Sequence, residues 1–141
     1  MIRKFKPEDI DNIMDIWLSA NIDAHSFIPE DYFINNLSQV KTQIEQAEIY
    51  VYESGGVPAG FIGLTESYIA GLFVKKCMRS NGIGSALLDT VLKTHSRLSL
   101  SVYSRNKSAV DFYLKYGFSI TDTHTDHDTG MEEYTMEYFK Y

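Results

Sequence analysis

The order of hydrophobic and polar positions divides the chain into a helical first part and a mainly stranded remainder. Apolar residues recur at helical spacing from Ile10 to Leu18 and again from Phe33 to Ile44, each time behind a proline. The period then changes. IYVYES and AGFIGLTE, joined by GGVP, predict a hairpin, and the apolar run YIAGLFV is typical of a strand buried on both faces. With a strand before the first helix, the predicted order for this part is one strand, two helices and three strands.

Helical and stranded patterns alternate in the second half. A helix with its apolar side inward from Ile83 to Val91 precedes the alternating strand LSLSVYS. NKSAVDFYLKYGF predicts a short helix with Ser108 as N-cap and Gly117 as C-cap, and FSITDTH and EEYTMEYFKY predict two strands around the polar TDHDTG. Because 141 residues fit one core, we expect an α/β (α+β) fold in which residues 1–141 form a single domain on one central sheet.

Charge is distributed unevenly along the chain. The net charge of −6 comes from 13 basic and 19 acidic residues and argues against a general nucleic-acid binder. The segment from Lys75 to Lys115 nevertheless carries eight basic and two acidic residues, or +6, which leaves five basic and 17 acidic residues, or −12, elsewhere. Such a split is typical of ordinary solvated faces. It is equally what a basic region for a polyanionic ligand beside an acidic surface for a cation would give.

The composition also bears on the compartment. The start of the chain has no apolar stretch of signal-peptide length, and no run approaches 18 apolar residues. The single cysteine, Cys77, excludes an internal disulfide framework and suits a reducing compartment. We therefore expect a soluble cytoplasmic protein that does not bind membranes.

The segment VKKCMRSNGIGSALLDTVL places two glycines where a helix is about to start. A P-loop is excluded because Ser85 and Ala86 follow Gly84, and a dinucleotide fingerprint is excluded because Leu87 stands at its third small position. Arg-x-x-Gly-x-Gly, from Arg79 to Gly84, remains. Its backbone N–H groups at a helix start suit a pyrophosphate, although a plain glycine-containing turn is an equal interpretation of this motif alone.

A second motif follows, NKSAVDFYLKYGF from Asn106 to Phe118. Together the two motifs resemble the GNAT superfamily of acyl-CoA-dependent N-acetyltransferases, in order and in spacing. The resemblance implies a mixed, mostly antiparallel sheet of about seven strands flanked by four helices, with acetyl-CoA as cosubstrate between YIAGLFV and LSLSVYS. The residues that it assigns to coenzyme binding are Leu72, Phe73, Val74, Arg79, Ser80, Asn81, Gly82, Ile83, Gly84, Ser85, Asn106 and Tyr113.

The resemblance also implies catalytic roles. Tyr113 matches the family tyrosine that protonates the coenzyme A sulfur as a general acid, and Glu66 is our first candidate for the base. His25, whose ordinary pKa suits proton transfer near neutral pH, is the second candidate. The segment WLSANIDAHSFIPEDYF resembles small bacterial GNAT enzymes, some of them associated with protein lysine or N-terminal acetylation, and this places His25 and Phe27 at the acceptor substrate.

The expected function is direct transfer of an acetyl group from acetyl-CoA to a primary amine: a protein lysine, an N-terminal amine or a small amine. A non-catalytic acyl-CoA sensor is the alternative. We expect no metal, because HTDHD lies in a polar turn without a helical pair of histidines, and no acyl-enzyme on Cys77. Acidic residues near the C-terminus suit recruitment of a cationic amine. The C-terminal strand in such a fold can pair across subunits, which leaves monomer and homodimer open.

Overall fold

The computed structural model describes residues 1–140. The helices are α1 (Ile10–Ala24), α2 (Glu30–Asn35), α3 (Leu37–Gln46), α4 (Ile83–Leu92) and α5 (Lys107–Lys115), with short 3₁₀ turns at Pro7–Asp9 and Lys76–Met78. The strands are β1 (Ile2–Lys4), β2 (Glu48–Ser54), β3 (Val57–Thr65), β4 (Tyr68–Val74), β5 (Arg97–Tyr103), β6 (Ser119–Thr125) and β7 (Glu132–Phe139).

The seven strands form one sheet in the order β1-β2-β3-β4-β5-β7-β6. Neighbouring strands are antiparallel except β4 and β5, which are parallel. The prediction of a mixed, mostly antiparallel sheet of about seven strands on an α/β fold is therefore confirmed. The prediction of four helices is wrong, since the described residues form five α-helices.

The additional helix arises because the second predicted helix breaks at Asn36. Asn36 has φ −97° and ψ 0°, outside helical geometry, and its side-chain amide donates a hydrogen bond to the carbonyl of Tyr32. Asparagine side chains compete with the helix backbone in this way and favour turns over helix interiors. Helix α2 consequently ends at Asn35, and α3 begins at Leu37.

Helices cover both faces of the sheet. On one face α4 and α5 pack against the sheet around the fully buried Leu87, Leu88 and Met136. On the other face α1 and α3 pack against β2 and β3 around Ile13, Ile16 and other apolar residues. The buried face of α1 carries Ile16 and Ala20, whereas Leu18, predicted on that face, is only half-buried.

Strands β4 and β5 separate soon after they meet. Their register covers only two pairs, Tyr68 with Ser99 and Ile69 with Leu100. A bulge in the β3–β4 ladder, between the pairs Gly63–Gly71 and Leu64–Ile69, leaves Ala70 as the extra residue of β4. Because the sheet opens beyond this point, β4 is half-exposed over most of its length. The prediction that YIAGLFV is buried on both faces is therefore wrong.

The C-terminal strand β7 lies inside the sheet. It pairs with β5 on one edge and with β6 on the other, so the edge strand is β6. Both edges of the C-terminal strand are thus occupied within the subunit, so this strand offers no free edge for the pairing across subunits that the sequence left open. In the part of the chain described, no helix is both long and apolar enough to span a bilayer.

Candidate active site

A cleft of about 380 Å³ runs through the gap between β4 and β5. We call it the main cleft. Its walls come from both faces of the sheet, since Asn106, Ala109 and Tyr113 of the α5 region line it together with residues of α1, α2 and α3. The bulged segment of β4 forms the floor beside Ser101 and Tyr103 of β5. A ligand in this cleft therefore has access to both helical layers and to the open edge of β4.

The open edge of β4 presents alternate backbone groups to the gap. Lys75 donates its N–H to the carbonyl of Ala59, and the carbonyl of Phe73 points at β3, where it lies 2.9 Å from the position of a Cβ on Gly60. Because backbone groups alternate between the two edges of a strand, Leu72 and Val74 face the gap. Of the three residues expected to bind a ligand through their backbone, Phe73 is therefore turned away and directed at β3.

The glycine motif forms a small separate cavity of about 290 Å³ at the start of α4, which we call the loop pocket. Gly82 is the N-cap of α4 in the left-handed conformation, with φ 77°, and Ser80 is also left-handed, with φ 68°. Arg79, Ser80, Gly82, Ile83, Gly84 and Ser85 line the cavity. Asn81 does not line it, and its side-chain amide donates to the carbonyl of Met78. A helix start with exposed N–H groups is suited to an anion.

Arg79 is already engaged by a carboxylate. Its Nη1 donates to Asp23 Oδ2 at 2.5 Å, and Lys76 Nζ lies 3.2 Å from Asp23 Oδ1. Hydrogen bonds from Arg79 and then Lys76 lower the pKa of the Asp23 carboxyl. The Nε of Arg79 donates to the carbonyl of Val74 at 3.4 Å, so one side chain joins α1, the end of β4 and the glycine loop. Sequence patterns gave no signal for Asp23, which lies 56 residues from its partner Arg79.

Helix α5 carries Asn106 and Tyr113 into the main cleft. Asn106 is the N-cap, with Oδ1 accepting the N–H of Ala109 at 3.4 Å, so the prediction of Ser108 as N-cap is wrong. The C-cap is Tyr116, one residue before the predicted Gly117, and Gly117 follows it with φ 97°. Tyr113 is 7% exposed, and no group within residues 1–140 makes a hydrogen bond with its hydroxyl. Burial raises the pKa of Tyr113, so the phenol keeps its proton at physiological pH.

His25 lies at the end of α1, facing Asn106 across the cleft. Its Nε2 is 3.3 Å from Asn106 Nδ2, and aromatic rings of Phe27, Phe33 and Tyr103 surround the imidazole. Desolvation lowers the pKa of His25. Since the Asn106 amide nitrogen can only donate, the neutral ring accepts at Nε2 and carries its proton on Nδ1. Phe27 is not in the cleft wall; it packs on His25 and Tyr103, with the guanidinium of Arg105 5.0 Å from its ring centre.

Glu66, the predicted base, lies away from this arrangement. It occupies the turn between β3 and β4 with φ 57°, is exposed, and lines neither the main cleft nor the loop pocket. Carboxylates reach the main cleft from the opposite side of the gap, where Asp128 and Glu133 form part of its wall. Glu66 is thus in a position set by hairpin geometry, and the acidic groups nearest the cleft come from the β6–β7 hairpin.

Tyrosines that sequence patterns did not single out complete the acidic side of the cleft. Tyr103 donates to Asp126 Oδ2 at 2.7 Å, and burial together with Asp126 raises the pKa of this phenol. Tyr32 of α2 lies in the same wall, and its pKa is raised by burial and by Asp126 and Asp128. Ten tyrosines occur in the chain, so position along the sequence could not distinguish these two from packing residues.

The structure also shows the surroundings of the residues for which we expected no metal-binding or catalytic role. Within residues 1–140 no three His, Cys, Asp or Glu side chains are grouped to hold a metal ion. His124 instead contacts Glu133 Oε1 at 2.9 Å and Asp122 Oδ2 at 3.1 Å, and the hydrogen bond with Glu133 is the main cause of its raised pKa. Cys77 is exposed in the short turn before the glycine loop.

Comparisons with known proteins agree with this geometry. The family model described as "Acetyltransferase (GNAT) domain" matches residues 23–139. Peptidyl-lysine N-acetyltransferase YiaC of Escherichia coli is 30% identical over 140 residues, which cover 98% of this chain and 96% of that protein.

Solved structures share the fold across the whole chain. The apo form of YjaB from Escherichia coli has a TM-score of 0.87 at 24% identity, covering 100% of this chain and 98% of that chain. YncA of Salmonella typhimurium, a putative acetyltransferase solved with its cofactor acetyl-CoA, has a TM-score of 0.70 at 16% identity, covering 99% and 92%. The matched family, the sheet that opens between β4 and β5 and the glycine loop at α4 lead to one conclusion: the chain belongs to the GNAT family of acetyl-CoA-dependent N-acetyltransferases.

Proposed function

We propose that this enzyme transfers the acetyl group of acetyl-CoA to the side-chain amine of lysine in a peptide or protein. The observation that carries the proposal is the main cleft, in which the free hydroxyl of buried Tyr113 shares one cavity with the open edge of β4 and with Asp128 and Glu133. A similar protein over almost the full chain, YiaC, is named a peptidyl-lysine N-acetyltransferase, which supports lysine as the acceptor.

The coenzyme is bound by the open edge of β4 and by the start of α4. Its pantetheine arm pairs with Leu72 and Val74 as an added strand between β4 and β5. Its pyrophosphate meets the N–H groups at Gly82, Ile83 and Gly84, where a partial positive charge at the helix start favours an anion. The Arg79 guanidinium binds the pyrophosphate from the side, and to do so it gives up part of its ion pair with Asp23.

The transfer needs a polarised thioester and a proton for the departing thiolate. The N–H of Leu72 donates to the thioester carbonyl and stabilises the oxyanion that forms when the amine attacks. As the C–N bond forms and the C–S bond breaks, the hydroxyl of Tyr113 gives its proton to the coenzyme sulfur. The nitrogen loses its second proton as the amide forms, and this proton returns to the Tyr113 phenolate through water. Because burial raises the pKa of this phenol, it is protonated again before the next turnover.

The acceptor enters on the acidic side of the cleft. Asp128 and Glu133 attract the lysine ammonium, with Asp126 adding to the negative potential beside Tyr103. The ammonium must lose a proton before it attacks, and the open mouth of the cleft next to these carboxylates lets water take that proton. The exposed Glu66 takes no part in this step. His25 holds the amide of Asn106 and is a positioning residue in this account.

Replacing Tyr113 with phenylalanine tests the proposed acid. Loss of a general acid reduces kcat by about 10²- to 10⁴-fold, whereas the affinity for acetyl-CoA stays within about twofold because the ring still packs in place. Tyr116→Phe is the matched control. It removes a hydroxyl at the C-cap of the same helix, where Tyr116 donates to the Ser85 carbonyl at 3.3 Å, and Tyr116 does not line the main cleft.

A change of less than about fivefold in the kcat of Tyr113→Phe would show that another group protonates the thiolate. The same pair of measurements separates the enzyme from a non-catalytic sensor. A sensor would bind acetyl-CoA equally well in the wild type and in both variants and would turn over in none of them.

A further inference from the structure

A second cavity of about 490 Å³ lies next to the main cleft, between α3 and the strands β3 and β4. We call it the side pocket. Its wall is mostly apolar, with Val40, Ile44, Ala47, Ile49, Phe61 and Phe73 among the lining residues. None of the described residues that line it carries a charge. A wall of this kind favours an uncharged, aliphatic occupant.

The side pocket begins where the thioester would sit. It shares Ala70, Gly71 and Phe73 of β4 with the main cleft, so the bulged segment of β4 separates the two only partly. Leu72, which offers its N–H to the thioester carbonyl, lies within the same four residues. An acyl chain bound through that carbonyl therefore has its next carbon atoms beside the entrance of the side pocket.

Two paired glycines let the side chains of Phe73 and Ile49 pack directly on the backbone beside this entrance. Gly63 of β3 lies opposite Gly71 of β4. A Cβ on Gly71 would be 2.2 Å from Cε2 of Phe73, so the Phe73 ring lies directly over this bare backbone. A Cβ on Gly63 would be 2.8 Å from Cδ1 of Ile49. The Phe73 ring thus takes the space over Gly71 and lines both cavities at the point where the main cleft meets the side pocket.

The acceptor does not compete for this space. Its cationic amine is drawn to Asp128 and Glu133 on the β7 side of the gap, whereas the side pocket lies on the β3 side of β4. An ammonium group or a charged peptide side chain would lose solvation in the side pocket without gaining a counter-charge. An uncharged acyl chain loses nothing by entering it, and so the acyl donor is the better occupant.

We propose that the side pocket is an acyl-chain site, and that the enzyme also transfers linear, uncharged acyl groups of about four to six carbons from their coenzyme A thioesters. This inference rests on the proposed function. The reaction balances as for acetyl: the lysine nitrogen forms the amide bond as the C–S bond breaks, and Tyr113 gives its proton to the sulfur. The nitrogen loses two protons, one to water before the attack and one as the amide forms, and the second returns to the Tyr113 phenolate through water. Dicarboxylic acyl groups such as succinyl are excluded, because their free carboxylate would lie unpaired in an apolar wall.

The test compares acetyl-, propionyl-, butyryl-, hexanoyl- and succinyl-CoA with one lysine peptide by kcat/KM. Burial of one methylene is worth about a fourfold gain in binding when complete, and the side pocket is partly open to solvent. We therefore expect butyryl and hexanoyl transfer to stay within about threefold of acetyl transfer or to exceed it, and succinyl transfer to fall more than about 100-fold below it.

Ala47→Phe fills the far end of the side pocket, which the main cleft does not reach. It is expected to lower the hexanoyl-to-acetyl ratio of kcat/KM by at least about tenfold. Gln46→Phe, at the neighbouring exposed position outside the cavity, is the matched control and leaves the ratio unchanged. Binding of butyryl-CoA and acetyl-CoA to the wild type by calorimetry gives a readout that does not depend on the folding of any variant.

The outcomes separate failure of the acyl-chain site from failure of the proposed function on which it rests. Acetyl transfer with a loss of more than about 100-fold for butyryl-CoA, in kcat/KM and in affinity, overturns the acyl-chain site alone. A change of acceptor-peptide preference in Ala47→Phe with an unchanged acyl ratio also overturns it and assigns the side pocket to the acceptor. Absence of transfer from every donor contradicts the proposed function itself.

Discussion

Replacing Gly82 with alanine isolates the reason for a glycine at the start of α4. Gly82 has φ 77° and ψ 12°, and a Cβ built on it meets no atom within 4 Å. The cost of alanine therefore comes from the left-handed backbone alone, about 1–2 kcal/mol of unfolding free energy. For a chain of this size that corresponds to a fall in Tm of about 3–8 °C, measurable by calorimetry or urea unfolding of the free enzyme.

Gly84→Ala is the matched control, since Gly84 lies in α4 with no positive φ and its Cβ would be 3.8 Å from Cζ of Phe112, an ordinary contact. We expect this variant to match the wild type or to gain up to about 1 kcal/mol from helix propensity. Gly82→Asn should lose less stability than Gly82→Ala, because asparagine tolerates left-handed geometry. Equal losses at positions 82 and 84, or no loss in Gly82→Ala, would refute the backbone argument.

Three further perturbations test the surroundings of the main cleft. Glu66→Gly relieves the left-handed backbone at the β3–β4 turn and should raise Tm while leaving kcat/KM unchanged. A fall of about 100-fold in kcat/KM would instead identify Glu66 as the base. Desolvation lowers the pKa of His25, so protonation of its ring should add an acid-side inflection to the kcat/KM profile, beyond the general rise with pH that deprotonation of the lysine amine causes. Asn106→Asp favours the imidazolium and should move this inflection upward by about one unit, and an unshifted inflection would exclude His25. Asp23→Asn frees Arg79 for the coenzyme phosphates and should tighten acetyl-CoA binding about two- to fivefold at low salt. This gain should shrink at high salt. Weaker binding would mean that the ion pair between Asp23 and Arg79 positions the glycine loop.

Much of the fold follows from local patterns. The seven strands, their hairpins and helices α1, α4 and α5 all stand where the order of apolar and polar residues predicts them. Asn36 shows the limit of this reasoning: its side chain ends a helix that the apolar positions alone would continue. Strand β4 shows another, since an unbroken apolar run does not reveal that its neighbour β5 diverges after two residue pairs.

The candidate site likewise contains residues that the sequence motifs reveal and residues that only the folded structure reveals. Arg79, Gly82, Asn106 and Tyr113 lie in two contiguous motifs, and their spacing is visible in the sequence. The partners brought to them by tertiary packing carry no such signal. Asp23 meets Arg79 only through the packing of α1 against the loop, and acidic groups reach the cleft through the β6–β7 hairpin.

Glu66 shows how little a local pattern says about where a side chain lies in the fold. It stands between two strands of the central sheet, as a base near the gap would, but the turn directs it into solvent. Its left-handed φ marks a constraint of the hairpin, and the main cleft takes its carboxylates from another part of the chain.

Acetyl transfer to a lysine side chain is tested most directly with a pair of peptides. One peptide has a blocked N-terminus and a single lysine flanked by neutral residues; its match replaces that lysine with norleucine, which has the alkyl chain without the amine. With acetyl-CoA and the wild-type enzyme, the account predicts coenzyme A thiol release with the lysine peptide, one acetyl group on that lysine by mass spectrometry, and only the blank rate with its match. Equal release with both peptides, or no release although acetyl-CoA binds, would contradict it.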